Sequence, residues 1–134
     1  MKKTLPITAL LLCVNLLFAS PAATNVMREL RLIYQTQKAG MFIDAYLRER
    51  RLNDAQIRGI RERIDFFFNS NMFIETGAAY LAHFFSEREL TEIYGNLRHG
   101  QSPSAAVRRV EKLFRRLDPF IFDFLRQNVI PEPK

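Results

Sequence analysis

The residues able to do chemistry in this chain of 134 residues are few and badly spaced for catalysis. The only histidines are His83 and His99, and no His-x-x-x-His or Glu-x-x-His pair sets two metal ligands on one helical face. His83 shares a helix edge with Thr76 and Ala79, which predicts a partly buried, hydrogen-bonded structural histidine. His99 falls at a helix C-terminus, where a cation meets the dipole favourably. No G-x-S-x-G supplies the strained turn that projects a hydrolase serine, and Ser86 and Ser102 sit where helix caps are needed. Asp65, Glu75 and Glu87 could pair for glycoside hydrolysis, but a chain with no Trp lacks the usual sugar-stacking surface. Glycine-rich phosphate loops are absent. The expectation is a protein that is not an enzyme and has no metal and no cofactor.

Binding chemistry is better represented. At helical spacing, Val107, Val110, Leu113, Phe114 and Leu117 fall on one arc, and Arg108, Arg109, Lys112, Arg115 and Arg116 fall on the arc opposite. Such a cationic stripe attracts anionic headgroups, phosphates or an acidic protein by summed Coulomb forces, and it is also what the solvated outer face of a bundle helix looks like. Glu111 borders the stripe and can pair with Arg115 one turn on. A second candidate surface is aromatic. Phe66 falls opposite the stripe of Ile57, Ile60, Ile64, Phe67 and Phe68, on the same side as Gly59, and the segment carrying Phe120, Ile121, Phe122, Phe124 and Leu125 is apolar over most of its circumference. Phe66, Phe120 and Phe124 are therefore the candidate apolar contacts; insertion of the C-terminal segment into the core is the competing expectation, and the one favoured.

The elements that must position these residues begin after a targeting segment. Lys2 and Lys3 precede an uncharged stretch from Thr4 to Ala19, which ends at Ser20-Pro21-Ala22-Ala23-Thr24. A cationic start, a short apolar run and a cluster of small side chains form the layout of a secretory signal. Ser20 and Ala22 suit the two small pockets of a signal peptidase, so residues 1–22 are expected to be the signal, with a cut after Ala19 as second choice, and 23–134 a single domain. Pro6 and Asn15 interrupt a run already shorter than the roughly 20 apolar residues a bilayer span needs. Cys13, preceded by Leu12 rather than a small residue, does not suit lipidation and leaves with the signal. The remaining chain has no cysteine, which excludes disulfides and thiolate chemistry. The short cationic start points to a bacterium and to the periplasm. The formal net charge is +6, of which Lys2 and Lys3 supply two. Arginine greatly outnumbers lysine, which favours fork-like contacts to carboxylate or phosphate and equally follows from a GC-rich genome.

With apolar residues at 48% and no alternating strand pattern, the domain is expected to be all-α, a compact bundle of six or seven short helices. The first is expected over 25–37, ending near Gly40, and the second over 41–51, with a mere kink at Gly40 as the alternative to a break. Asn53 with Gln56 forms a capping box for the third. The fourth runs to about residue 84, hydrophobic nearly all round, as suits the middle of a bundle. Ser86 with Glu89 forms a second capping box, with Phe85 and Leu90 at the positions of a hydrophobic staple, and opens a fifth helix that stops near Gly100. Ser102-Pro103 opens a sixth helix to Leu117, and Asp118-Pro119 repeats the device to open a seventh, ended by Pro131.

At the fourth-to-fifth junction, Tyr80-Leu81-Ala82-His83-Phe84-Phe85-Ser86-Glu87-Arg88-Glu89-Leu90 resembles the hallmark of a bacterial family of exported all-helical proteins classed as a domain of unknown function. The hallmark is an aromatic-Ser/Thr-x-x-Glu-Leu junction after a Tyr-Ala-x-His-like helix end. The similarity spans residues 26–125, although Asn96-Leu97 replaces the family's Phe-Tyr and Ser102-Pro103 comes late. The resemblance implies a periplasmic helical domain and supplies no catalytic residues. The function expected from the sequence is therefore a non-enzymatic periplasmic helical protein that binds a protein partner, of which an immunity protein plugging a toxin is a special case. The alternatives are a membrane-surface or anionic-lipid binder using the basic helix, or a carrier holding an acyl chain among Phe66, Phe73, Phe84 and Phe124. Nucleic acid is not an expected partner of an exported chain.

Overall fold

In a computed structural model the described residues are 20–99 and 104–130, the side chains of 104–106 excepted. Among them every regular element is helical. The expected signal segment before Ser20, the Ser102-Pro103 cap and Pro131 lie outside the described residues.

The first helix, α1 (Pro21–Ile33), starts earlier than the sequence pattern suggested. Ser20 is its N-cap, accepting the Ala23 N–H on Oγ, and Pro21 takes the first helical position, where a missing N–H costs nothing. Ala22, Ala23, Val26, Met27 and Leu30 form its buried stripe. The expected break at Gly40 does not occur. The chain passes instead through a single wide π-turn, Tyr34–Lys38, into α2 (Ala39–Arg48), and Gly40 is an exposed residue inside that helix. In the wide turn the Ala39 N–H donates to the Tyr34 carbonyl five residues back, so two core residues spaced by five both face inward. Continued burial of Phe42, Ile43 and Tyr46 on α2 outweighs the poor helix propensity of one glycine.

Both capping boxes form. Asn53 and Gln56 exchange bonds of 2.8 and 2.9 Å at the start of α3 (Asp54–Asn69), and Ser86 and Glu89 exchange bonds of 3.1 and 2.8 Å at the start of α5 (Glu87–His99). Phe85 and Leu90, the staple pair, are both buried. Between them lies α4 (Asn71–Phe84). Ser70, at the α3–α4 junction, does not cap α4 with its side chain; its hydroxyl donates back to the Phe67 carbonyl at 2.7 Å.

The expected helix boundary at Asp118-Pro119 is also absent. α6 (Ser104–Phe124) continues through Pro119 and ends in a second π-turn, Leu125–Val129. Leu113, Leu117, Ile121, Phe124 and Leu125 recur at three and four residues on both sides of the proline and are all buried. The stripe they share holds the helix together despite the amide hydrogen bond that proline lacks. Asp118 is not a cap, because its carboxylate is engaged elsewhere. In the second π-turn the Ile130 N–H donates to the Leu125 carbonyl at 2.8 Å, again joining two buried residues five apart.

α1 packs against α4 and α5, α3 against α4, and α6 against α5 and α4, while the C-terminal π-turn returns to α3. α4 thus lies in the middle, as its all-round hydrophobicity required. Its Gly77 is packed tightly against α1, where a Cβ would fall 2.1 Å from Met27 Cε. Tyr34, Phe67, Phe68 and Phe73 form the aromatic centre, with ring centroids 5.1 to 5.9 Å apart.

Candidate functional site: an apolar groove and a cationic helix face

The outer side of the α3–α4 pair carries a groove of about 810 Å³. Its wall from α3 is Gly59, Glu62, Arg63, Phe66 and Phe67; α4 contributes Met72, Glu75 and Thr76, and the C-terminal π-turn contributes Asn128 and Val129. The helical period explains the membership. Gly59, Glu62, Arg63 and Phe66 follow one another at three and four residues, on the side of α3 turned away from its core stripe. Phe66 is 77% exposed and Met72 51%. Two carboxylates, Glu62 and Glu75, stand on the rim against one guanidinium, Arg63, and none of these three forms an ion pair among the described residues. An acidic rim is unusual on a molecule whose formal charge is +6.

Of the three apolar candidates, only Phe66 opens onto this groove. Phe124 is a core residue, its ring stacked on Phe67 at 5.5 Å, and Phe120 lies flat on Tyr80 at 4.0 Å. The apolar C-terminal segment is therefore inserted in the bundle, and the three phenylalanines do not share one surface. Nor do the four rings of an acyl-chain site converge: Phe73 is fully buried, and Phe84 is covered on one face by Arg116.

The five cations of α6 divide by direction. Arg109 reaches Glu92 of α5 at 3.9 Å, Arg116 lies over the Phe84 ring at 4.3 Å from its centroid, and Lys112 approaches the Phe85 ring at 5.9 Å. These three lean toward the α4–α5 junction. Arg115 pairs along its own helix with Glu111 at 3.9 Å, and Arg108 is exposed. Both ion pairs are long; Glu111–Arg115 lies at the surface and Arg109 is half-buried, and each pair contributes about 0–1 kcal/mol, so the face keeps its positive potential.

A third polar cluster joins chain segments remote in sequence. Lys38 Nζ lies 2.8 Å from one oxygen of Asp118, and the Tyr34 hydroxyl donates to the other. Lys38 also sits over the Phe114 ring, 4.1 Å from its centroid. Burial, reinforced by the Asp118 charge and hydrogen bond, pushes the Tyr34 phenol far above its ordinary pKa. The cluster pins the first π-turn to α6 and has the composition of a structural clamp. The Ser86 amide likewise holds the Glu89 carboxylate below the usual range, as its role in the capping box requires.

His83, in the last turn of α4, is exposed rather than partly buried, its ring set edge-on to Phe84 at 5.3 Å. His99 is exposed at the end of α5. Among the described residues no group of three His, Cys, Asp or Glu side chains is placed to hold a metal ion, and no helix is long and apolar enough to cross a membrane.

Gly59 and Phe66 were legible as one face from their spacing of seven. Met72 was not, because a helix apolar all round gives no stripe from which an outward position stands out. The Tyr34–Lys38–Asp118 cluster was missed because Asp118-Pro119 has the local pattern of a cap, and no local signal connects it to residue 34. The chain matches no protein-family model, no curated protein and no solved structure.

Proposed function

We propose that this is an exported, non-enzymatic helical module, periplasmic in a bacterial host, that binds a protein partner through the α3–α4 groove. The observation that carries the proposal is Phe66: a phenylalanine 77% exposed above a core that is already closed beneath it. Fully burying such a side chain is worth about 1.5–3 kcal/mol, which the monomer leaves unused and a partner gains. The occupant is a protein segment with one or two bulky apolar side chains flanked by Lys or Arg. Apolar groups match Phe66, Phe67, Met72 and Val129, and a cation matches Glu62 and Glu75. The resemblance of Tyr80–Leu90 to an exported helical family supports the same assignment, as does a sequence without a nucleophile–base pair.

A second function has its own observation, the positive face of α6, where Arg116 lies over Phe84, a ring that is itself 40% exposed. An apolar tip beside cations suits an anionic membrane surface. One experiment separates the two: a photo-crosslinking residue in place of Phe66 or of Arg108, in cells that export the protein. A discrete protein adduct from position 66, lost when Met72 is changed to Asp and absent from position 108, is the expected result. Phospholipid adducts from position 108 with none from 66 would replace the first function by the second, and silence at both positions would overturn both.

A further inference from the structure

The small-residue pattern allows two cuts, after Ala22 or after Ala19, and by side-chain size alone the first is the better substrate. The folded state ranks them the other way. Ser20 is built into the folded body: its hydroxyl accepts the Ala23 N–H at 3.0 Å and donates to Glu87 Oε1 at 2.7 Å, and its carbonyl accepts the Thr24 N–H and hydroxyl at 3.0 and 3.1 Å. The Ala22 N–H donates to the other Glu87 oxygen at 3.0 Å. Ala22 and Ala23 are members of the hydrophobic core.

A cut after Ala22 would remove the cap of α1 and both groups that hold Glu87. It would also place a new α-ammonium on Ala23, a residue that packs in the hydrophobic core of the intact chain and stands at the positive end of the helix dipole. A cut after Ala19 removes none of these contacts. The new ammonium then belongs to Ser20, which is partly exposed and touches the Glu87 carboxylate, so the added charge meets an opposite one that is already in place.

From this geometry we infer that the export signal is removed at the Ala19–Ser20 bond, and that Glu87 is the receptor for the processed N-terminus. The inference rests on the export assignment made above. An endopeptidase adds one water across the amide; the Ala19 carboxylate leaves with the released peptide and the α-ammonium stays on Ser20. Glu87 thus ties the entry of α1 to the first turn of α5, and processing converts a neutral amide beside it into a charged partner.

The full 134-residue chain expressed in an exporting bacterium tests this by intact mass and N-terminal sequencing of the periplasmic fraction, for the native chain and for Glu87→Gln. The expected product begins at Ser20, and Glu87→Gln, similarly processed, melts at a lower temperature, with the difference shrinking at high salt. A product beginning at Ala23 or at any other exported residue overturns the cut while leaving export intact. A chain retained with Met1 overturns the export assignment itself and the cut with it. An unchanged melting temperature in Glu87→Gln overturns the receptor role.

Discussion

Tyr34 is the residue on which the polar interior turns. Its ring is fully buried against Phe68 and Phe73, and its hydroxyl is spent on Asp118, whose second oxygen holds Lys38. Because the native phenol keeps its proton far above the ordinary range, an unfolded chain gives up a proton above about pH 10 that the folded chain retains. Stability from this residue is therefore complete below about pH 10 and is lost as the pH rises beyond it. Tyr34→Phe is expected to lower stability by about 1–2 kcal/mol near neutrality, because Asp118 loses a donor, and to flatten the alkaline decline. Urea denaturation of both proteins at about pH 8 and about pH 11 measures this; equal declines in the two would show that Tyr34 ionises like an exposed tyrosine.

At the scale of elements, the contact of α1 with α4 is set by a missing side chain. A methyl group on Gly77 would meet Met27 Sδ at 2.6 Å as well as Cε, and Met27 is fully buried, so its thioether has little room to retreat. Overpacking typically costs about 1–3 kcal/mol, more than the roughly 1 kcal/mol that alanine gains over glycine in a helix. Gly77→Ala is expected to destabilise the protein by about 1–2 kcal/mol net. In a Met27→Ala background, itself destabilised by about 2–5 kcal/mol, the same change is expected to be neutral or stabilising. Chemical denaturation of the four proteins of this cycle gives the coupling directly, and additive effects would mean that the helices do not meet there. The two π-turns belong to the same scale: each lets a helix keep its core face across a spacing of five, at Tyr34 to Ala39 and at Leu125 to Ile130.

For the whole molecule, the buried hydrophobic residues described from Ala22 to Ile130, Ala79 excepted, form a single cluster. One core in a chain whose single cysteine, Cys13, has no second thiol to pair with should unfold as one unit. Thermal transitions followed by far-ultraviolet circular dichroism and by near-ultraviolet aromatic signals are expected to coincide, with a midpoint that does not respond to reductant. An aromatic transition that precedes the helical one would divide the core into independently melting parts.

Local chemistry determined much of this protein from its sequence. Asn53 with Gln56 and Ser86 with Glu89 act within one turn, so the starts of α3 and α5 are written beside the residues they control, and periodicity marked the helical class and the face shared by Gly59 and Phe66. The tertiary structure decided whatever depends on energy gained at a distance. Gly40 and Pro119 look like stops because their neighbours in sequence say so, yet both helices continue, since core residues on either side gain more by staying in line than the backbone loses at one position. Asp118 could be taken for a cap until Tyr34 and Lys38 were brought to it from another element. Ser20 and Ala22 read as peptidase substrate, with the first helix expected only from residue 25, until the fold made Ser20 the cap of α1 and brought Glu87 from α5 to hold both.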